Sequence, residues 1–148
     1  VTPRQALVIA EARKWLGTPY VHAAELRGVG VDCLRLLVHA FVDSGVCPAC
    51  EVPAYSADWH LHRAAETYLD GIGRYCDEAP VADPQPADIL LFRWGRTYSH
   101  GALVTRVAPS LTVLHAYQPS RRVVEHALVN APILLEARRA PKLFRFRW

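Results

Sequence analysis

Counting from Cys33, apolar residues fall at the third, fourth, seventh and eighth positions onward, Leu36, Leu37, Ala40 and Phe41. That is the spacing of a helix with one buried face, and it predicts a helix opening at Cys33 and closing before Gly45. Val8, Ile9, Ala12, Trp15 and Leu16 follow the same period and predict a first helix over 3–16, with Gly17 as its stop. Thr2-Pro3-Arg4-Gln5 has the shape of a capping box with proline at the first helical position, so structure is expected to begin there with no signal peptide ahead of it. A third helix is predicted over 58–69, capped by Ser56 or Asp58 and closed by Asp70-Gly71. Beyond the proline-rich Asp83-Pro84-Gln85-Pro86 the pattern changes to short strand-like runs over 89–94, 101–105, 111–117 and 123–128. A final strand over 143–148 sets Phe144, Phe146 and Trp148 on one face and Arg145 and Arg147 on the other. Helices first and an antiparallel sheet afterwards is an α+β arrangement.

With 51% of 148 residues hydrophobic, the chain can fill one core, and residues 1–148 are expected to form a single domain. Its longest apolar runs, such as Ile89-Leu90-Leu91-Phe92, fall far short of the roughly 20 residues of a membrane helix, so no membrane span is expected. The net charge of +3 is modest, yet Arg121, Arg122, Arg138, Arg139, Lys142, Arg145 and Arg147 all fall after residue 120. Without exposed aromatics interleaved among them, they read as a solvated basic face rather than a nucleic-acid surface, with an acidic cell-wall polymer as the next choice of partner. Cys47-Pro48-Ala49-Cys50 is a lone C-x-x-C; His60 and His62 complete a zinc set on paper, but a loop of small residues is the preferred reading.

Cys33 follows the glycine-rich Gly28-Val29-Gly30-Val31-Asp32. A thiol at a helix start meets unpaired N–H groups and the positive end of the helix dipole, which favour thiolate and can bring a cysteine pKa to about 3.5–7.5. A small buried hydrophobe is the equal alternative for this segment. A nucleophilic cysteine needs a base, and histidine is the usual one. Given a two- or four-residue turn about Ala108-Pro109, His100 falls opposite Tyr117 and His115 opposite Ala102, so the two histidines share a face as diagonal neighbours. That suits a base and the group that orients it, and a one-residue slip would undo it. His22, in the loop before Cys33, is the rival base; His39, His60, His62 and His126 read as surface or satisfied histidines.

Gly17-Thr18-Pro19-Tyr20, Gly30-Val31-Asp32-Cys33, Ser99-His100-Gly101-Ala102 and Leu114-His115-Ala116-Tyr117 together resemble the ordered motifs of NlpC-type cysteine peptidases, over nearly the whole chain. Asp88-Ile89-Leu90-Leu91-Phe92-Arg93 and Arg122-Val123-Val124-Glu125-His126 resemble the branch found as cell-wall peptidases among tail proteins of phages and gene transfer agents. The resemblance implies a papain-like α+β fold, without metal or cofactor, that cleaves peptidoglycan stems, typically between γ-D-glutamate and diaminopimelate. It makes Cys33 the nucleophile, His100 the general base and acid, and His115 the orienting residue. Tyr20, Asp32 and Arg35 would form the oxyanion and substrate-binding surroundings. It also implies peptidoglycan and tail-tip or hub proteins as partners, and a protein made in the bacterial cytoplasm, carried on a virion or tail-like particle and acting on the cell wall in the periplasm. One departure stands out: Leu34-Arg35 occupies a place where the family has a small or aliphatic residue followed by glycine. Arg35 would either block the cleft or bind a stem-peptide carboxylate through its planar fork. Three other readings stay open: a catalytically impaired structural tail-tip component, a catalytic zinc held by Cys33, His100 and His115, and amidase or acyl-transfer chemistry on the same thiol.

Overall fold

The computed structural model describes residues 1–49 and 67–148. Helix α1 (Pro3–Arg13) opens on the capping box, with Thr2 Oγ1 accepting from the Gln5 amide at 3.2 Å and Gln5 Oε1 accepting from the Thr2 amide at 2.8 Å. It buries Val8, Ile9 and Ala12. The helix closes at Arg13, and a tighter turn carries Trp15 into the core but leaves Leu16 exposed, against the periodic expectation. The cause is the edge that α1 meets: Gly17, at φ 83°, donates its amide to Val123 and so turns the chain onto the sheet. A small hairpin, β1 (Glu25–Leu26) and β2 (Gly30–Val31), follows; two-residue strands leave too little alternation to be read from sequence.

Helix α2 (Cys33–Asp43) buries Cys33, Leu36, Leu37, Ala40 and Phe41, the stripe the spacing predicts. Helix α3 (Thr67–Gly73) overlaps the end of the predicted third helix, whose residues 58–66 lie outside the described residues together with Cys50, His60 and His62. It runs through Asp70-Gly71 instead of stopping there. Leu69 and Ile72 pack against the core, and that contact outweighs a glycine cost of about 1 kcal/mol.

Among the described residues the main sheet is antiparallel in the order β3-β8-β4-β5-β6-β7. Its strands are β3 (Cys76–Ala79), β4 (Ile89–Trp94), β5 (Thr97–Arg106), β6 (Thr112–Tyr117), β7 (Arg122–Ala127) and β8 (Lys142–Phe146). Edge strand β3 is missing from the sequence reading because its two central positions, Asp77 and Glu78, are exposed and its pairing partner β8 is distant in sequence. Phe144 and Phe146 are buried as expected, whereas Trp148 lies past the strand end and is 42% exposed. Arg145, on the opposite face, makes a forked pair with buried Asp88 at 3.0 and 2.8 Å.

Helices cover one face of the sheet, against Ile89, Leu91, Leu103, Leu114, Ala116, Phe144 and Phe146. The other face, Leu90, Phe92, Ala102, Val104, Val113 and Leu143, is covered by Ala131 and Leu134 from the short helical turns between β7 and β8. A few helices on an antiparallel sheet is the α+β class the residue pattern predicts. Residues Leu103 and Leu114 are paired, the register that sets the two histidines on one face. The connection is not the short turn expected: it spans 107–111, and a bulge between Val104 and Arg106 absorbs the extra residue.

Candidate active site

Leu103↔Leu114 is the first β5–β6 pair of the ladder, so residues 99–101 of β5 reach beyond its paired part. The amino terminus of α2 is lodged against that stretch. Cys33, the first residue of α2, sets its thiol 3.5 Å from the Ser99 carbonyl oxygen, to which it donates, and the Gly101 amide also acts on the sulfur. Asp32 fixes the entry to the helix: Oδ1 accepts from the Arg35 amide at 2.9 Å and Oδ2 from the Ala23 amide at 2.8 Å. Gly101 permits the close approach. A Cβ there would lie 2.8 Å from Leu37 Cδ1 of α2 and collide with the Tyr68 hydroxyl.

His100 follows a second bulge, between Phe92↔His100 and Arg93↔Tyr98. Its Nε2 lies 2.9 Å from His115 Nδ1. The fully buried His115 ring continues the chain, with its Nε2 2.9 Å from His126 Nε2, and Tyr117 stacks on it at 4.5 Å. Phe92, Trp94 and Tyr117 surround the His100 ring, and Arg139 lies over Trp94 at 3.6 Å. The thiol therefore lies against the backbone on either side of His100, at Ser99 and Gly101, and no hydrogen bond joins thiol to ring; His100 Nδ1 is the ring nitrogen that the His115 contact leaves. His126, expected at the surface or satisfied, is the third member of this chain. The cross-strand rule that pairs His100 with His115 also finds it, since His115↔Val124 places His126 diagonally beside His115 on the same face.

The thiol is not pre-ionised as its helix position predicts. Burial, and next the Asp32 carboxylate, push its pKa up to about 12, against the Gly101 amide, the Tyr68 hydroxyl and its own backbone. Desolvation outweighs the helix terminus. Burial pushes His100 down to about 4, and burial with its two histidine neighbours holds His115 well below the ordinary imidazole value. Near neutral pH the resting pair is therefore neutral thiol and neutral imidazole. Tyr20 stands next to Cys33 and Asp32, its hydroxyl raised by burial and then by those two groups. His115 has both ring nitrogens engaged by other histidines, which leaves it no lone pair for a zinc shared with Cys33 and His100. Among the described residues no three His, Cys, Asp or Glu side chains converge as metal ligands, and no helix is long and apolar enough to cross a membrane.

Arg35 Nη1 pairs with Glu25 Oε1 at 3.0 Å, and Glu25 Oε2 lies 3.2 Å from His39 Nε2. The guanidinium thus braces the β1–β2 hairpin against α2.

Asp32→Asn retains an oxygen for the helix cap and removes the charge that raises the thiol. Its Cys33 is expected to alkylate faster at a given pH, on the order of tenfold, in a pH series with iodoacetamide read by mass spectrometry. An unchanged or slower rate would show that the Asp32 field does not reach the sulfur.

The sequence matches no protein-family profile and no curated protein. The fold is that of NlpC/p60 domains, papain-like α+β. The NlpC/p60 domain of the peptidoglycan hydrolase SagA superposes with a TM-score of 0.63 at 18% identity, covering 95% of this chain and 96% of that one. An N-acetylmuramoyl-L-alanine amidase from Bacteroides uniformis gives 0.68 at 11% identity over 99% and 100% of the two chains. RipD from Mycobacterium tuberculosis, described as a non-catalytic NlpC/p60 domain protein adapted to peptidoglycan binding, gives 0.56 at 15% identity over 86% and 89%.

Proposed function

We propose that residues 1–148 act as one cysteine hydrolase domain directed at the peptide part of bacterial peptidoglycan. The observation that carries this reading is the placement of the Cys33 thiol against the backbone that flanks His100 on β5, with His100 Nε2 held by His115 and Nδ1 left to take the thiol proton. In this reading a docked stem peptide brings thiol and ring into hydrogen-bond reach, since such bonds commonly tighten only when substrate is bound. Cys33 Sγ attacks the scissile carbonyl carbon while His100 Nδ1 takes the thiol proton. The tetrahedral oxyanion is received by the Cys33 backbone N–H, at the first turn of α2, and by the Tyr20 hydroxyl. His100 then delivers its proton to the leaving amine as the C–N bond breaks. Water, deprotonated by His100, attacks the thioester and releases the acid, and the thiol recovers its proton.

The finer reading follows from the motifs: cleavage between γ-D-glutamate and diaminopimelate, by a protein carried on a phage-like tail that meets the wall in the periplasm. The amidase-like fold makes the muramyl–L-alanine amide the competing bond. A second reading, a component that binds wall and does not cut it, is favoured by one observation: the thiol is buried and donates to the Ser99 carbonyl, with no hydrogen bond to His100.

Purified protein and Cys33→Ala should be incubated with sacculi and with synthetic stem peptides, and the products read by mass spectrometry. Cleavage by the parent and none by the variant is the expected result, and the masses assign the bond. Sedimentation of both proteins with intact sacculi, without cleavage by either, would overturn the hydrolase reading in favour of the binding one.

A further inference from the structure

We propose that His126 is a positioning residue, whose ring sets the tautomer of His115 and through it decides whether His100 Nδ1 can accept the Cys33 proton. The inference rests on the hydrolase reading above and extends it by one residue. Three imidazoles are joined by two contacts of 2.9 Å, His100 Nε2 to His115 Nδ1 and His115 Nε2 to His126 Nε2. A neutral imidazole has one N–H and one lone pair, and each contact needs one of each. Only two arrangements satisfy both contacts with neutral rings.

In the first, His100 donates from Nε2, His115 donates from Nε2, and His126 accepts at Nε2 and bears its proton on Nδ1. His100 Nδ1 is then a bare lone pair, fit to act as base. In the second, every proton is reversed: His126 donates from Nε2, His115 donates from Nδ1, and His100 accepts at Nε2. His100 then bears its proton on Nδ1 and offers the thiol no acceptor. His115, fully buried between its two partners, must follow whichever end of the chain is fixed.

His126 is that end. It is half-buried on β7, diagonally beside His115. Among the described residues, the titratable rings packed against it are His115 and Tyr117 of β6, at ring separations of 5.1 and 5.8 Å. Its neighbour Glu125 is bound by Arg13 of α1 at 2.8 Å, and Arg106 of β5 acts on Glu125. Burial lowers all three imidazoles below their ordinary value, so the chain is neutral near neutral pH and the first arrangement is open to it. A protonated His126 can only donate. It would impose the second arrangement and silence the base.

Replacing His126 by a pure acceptor and by a pure donor separates this device from simple packing. His126→Glu places a carboxylate that accepts from His115, and His126→Lys an ammonium that can only donate. At pH 7 the Glu variant is expected to exceed the Lys variant in kcat on stem peptides by at least about 10²-fold, given that a base locked in its wrong tautomer loses up to about 10⁴. KM should be similar in the two. In parallel, 15N spectra of histidine-labelled parent protein should show His100 Nδ1 unprotonated at pH 7 and protonated when His126 acquires charge. Equal kcat values for the two variants, or a protonated His100 Nδ1 at pH 7, would overturn the proposal. The spectra need no turnover, so an inactive parent would count against the hydrolase reading while the relay is still decided.

Discussion

Replacing His100 by alanine is expected to lower kcat/KM on stem peptides by about 10²–10⁴-fold, the usual worth of a positioned proton acceptor, while the alkylation rate of Cys33 at pH 7 changes little. The two halves of this result come from one fact. With the thiol pushed up to about 12 and the imidazole down to about 4, the resting site holds two neutral groups rather than a thiolate–imidazolium pair. His100 therefore serves the thiol during attack and does not ionise it beforehand. A site with a preformed ion pair would behave differently, since removing the imidazolium would return the thiolate to thiol and slow alkylation steeply. Parallel assays of peptide cleavage and iodoacetamide labelling decide between the two. A sharp loss of labelling in His100→Ala would show that the ion pair exists, and unimpaired cleavage would remove His100 from the reaction. The sign of the pH dependence follows. Activity requires a neutral His100, so it is present above the imidazole pKa and lost as pH falls through it.

Gly101→Val is expected to destabilise the fold by about 3 kcal/mol, the upper part of the range for overpacking a filled core, and to lower activity beyond what lost stability explains. Gly101 faces the helices, where its missing side chain lets α2 and α3 approach β5 together. A Cβ at this position would meet the Tyr68 hydroxyl of α3 and, at 2.8 Å, Leu37 Cδ1 of α2. Leu37 lies one helical turn beyond Cys33 on the same buried stripe, so a displaced α2 withdraws the thiol from the Ser99 carbonyl. Urea denaturation measures the first effect, and kcat under conditions where the variant remains folded measures the second. A denaturation midpoint equal to that of the parent would mean that the helices yield without strain and that close packing at Gly101 does not hold the thiol in place.

The periodic elements were legible in the chain because burial repeats locally. One face of α2, and the apolar runs of β4, β6 and β8, show in the order of residues without knowledge of what covers them. Their ends were less so: α1 stops where Gly17 meets β7, and α3 continues past Asp70-Gly71 because Leu69 and Ile72 have a core to join. The pairing of His100 with His115 was also readable, since strand alternation is a rule of two. Yet the register depends on bulges at residues 99 and 105, which add odd residues that the other strand must accommodate.

The order of residues alone sets which side chains can carry chemistry and on which periodic face each sits: a cysteine at a helix start and histidines at alternating strand positions. The tertiary structure alone decided how those groups behave. Enclosure of Cys33 beside Asp32 makes it a poor acid, although its helix position argues the reverse. Packing of β7 against β6 makes His126 a third link in the histidine chain, and Glu25, ten residues before Arg35, engages its guanidinium. Periodicity is a property of neighbours in sequence, whereas desolvation, hydrogen-bond partners and charge pairing depend on groups that only folding brings together.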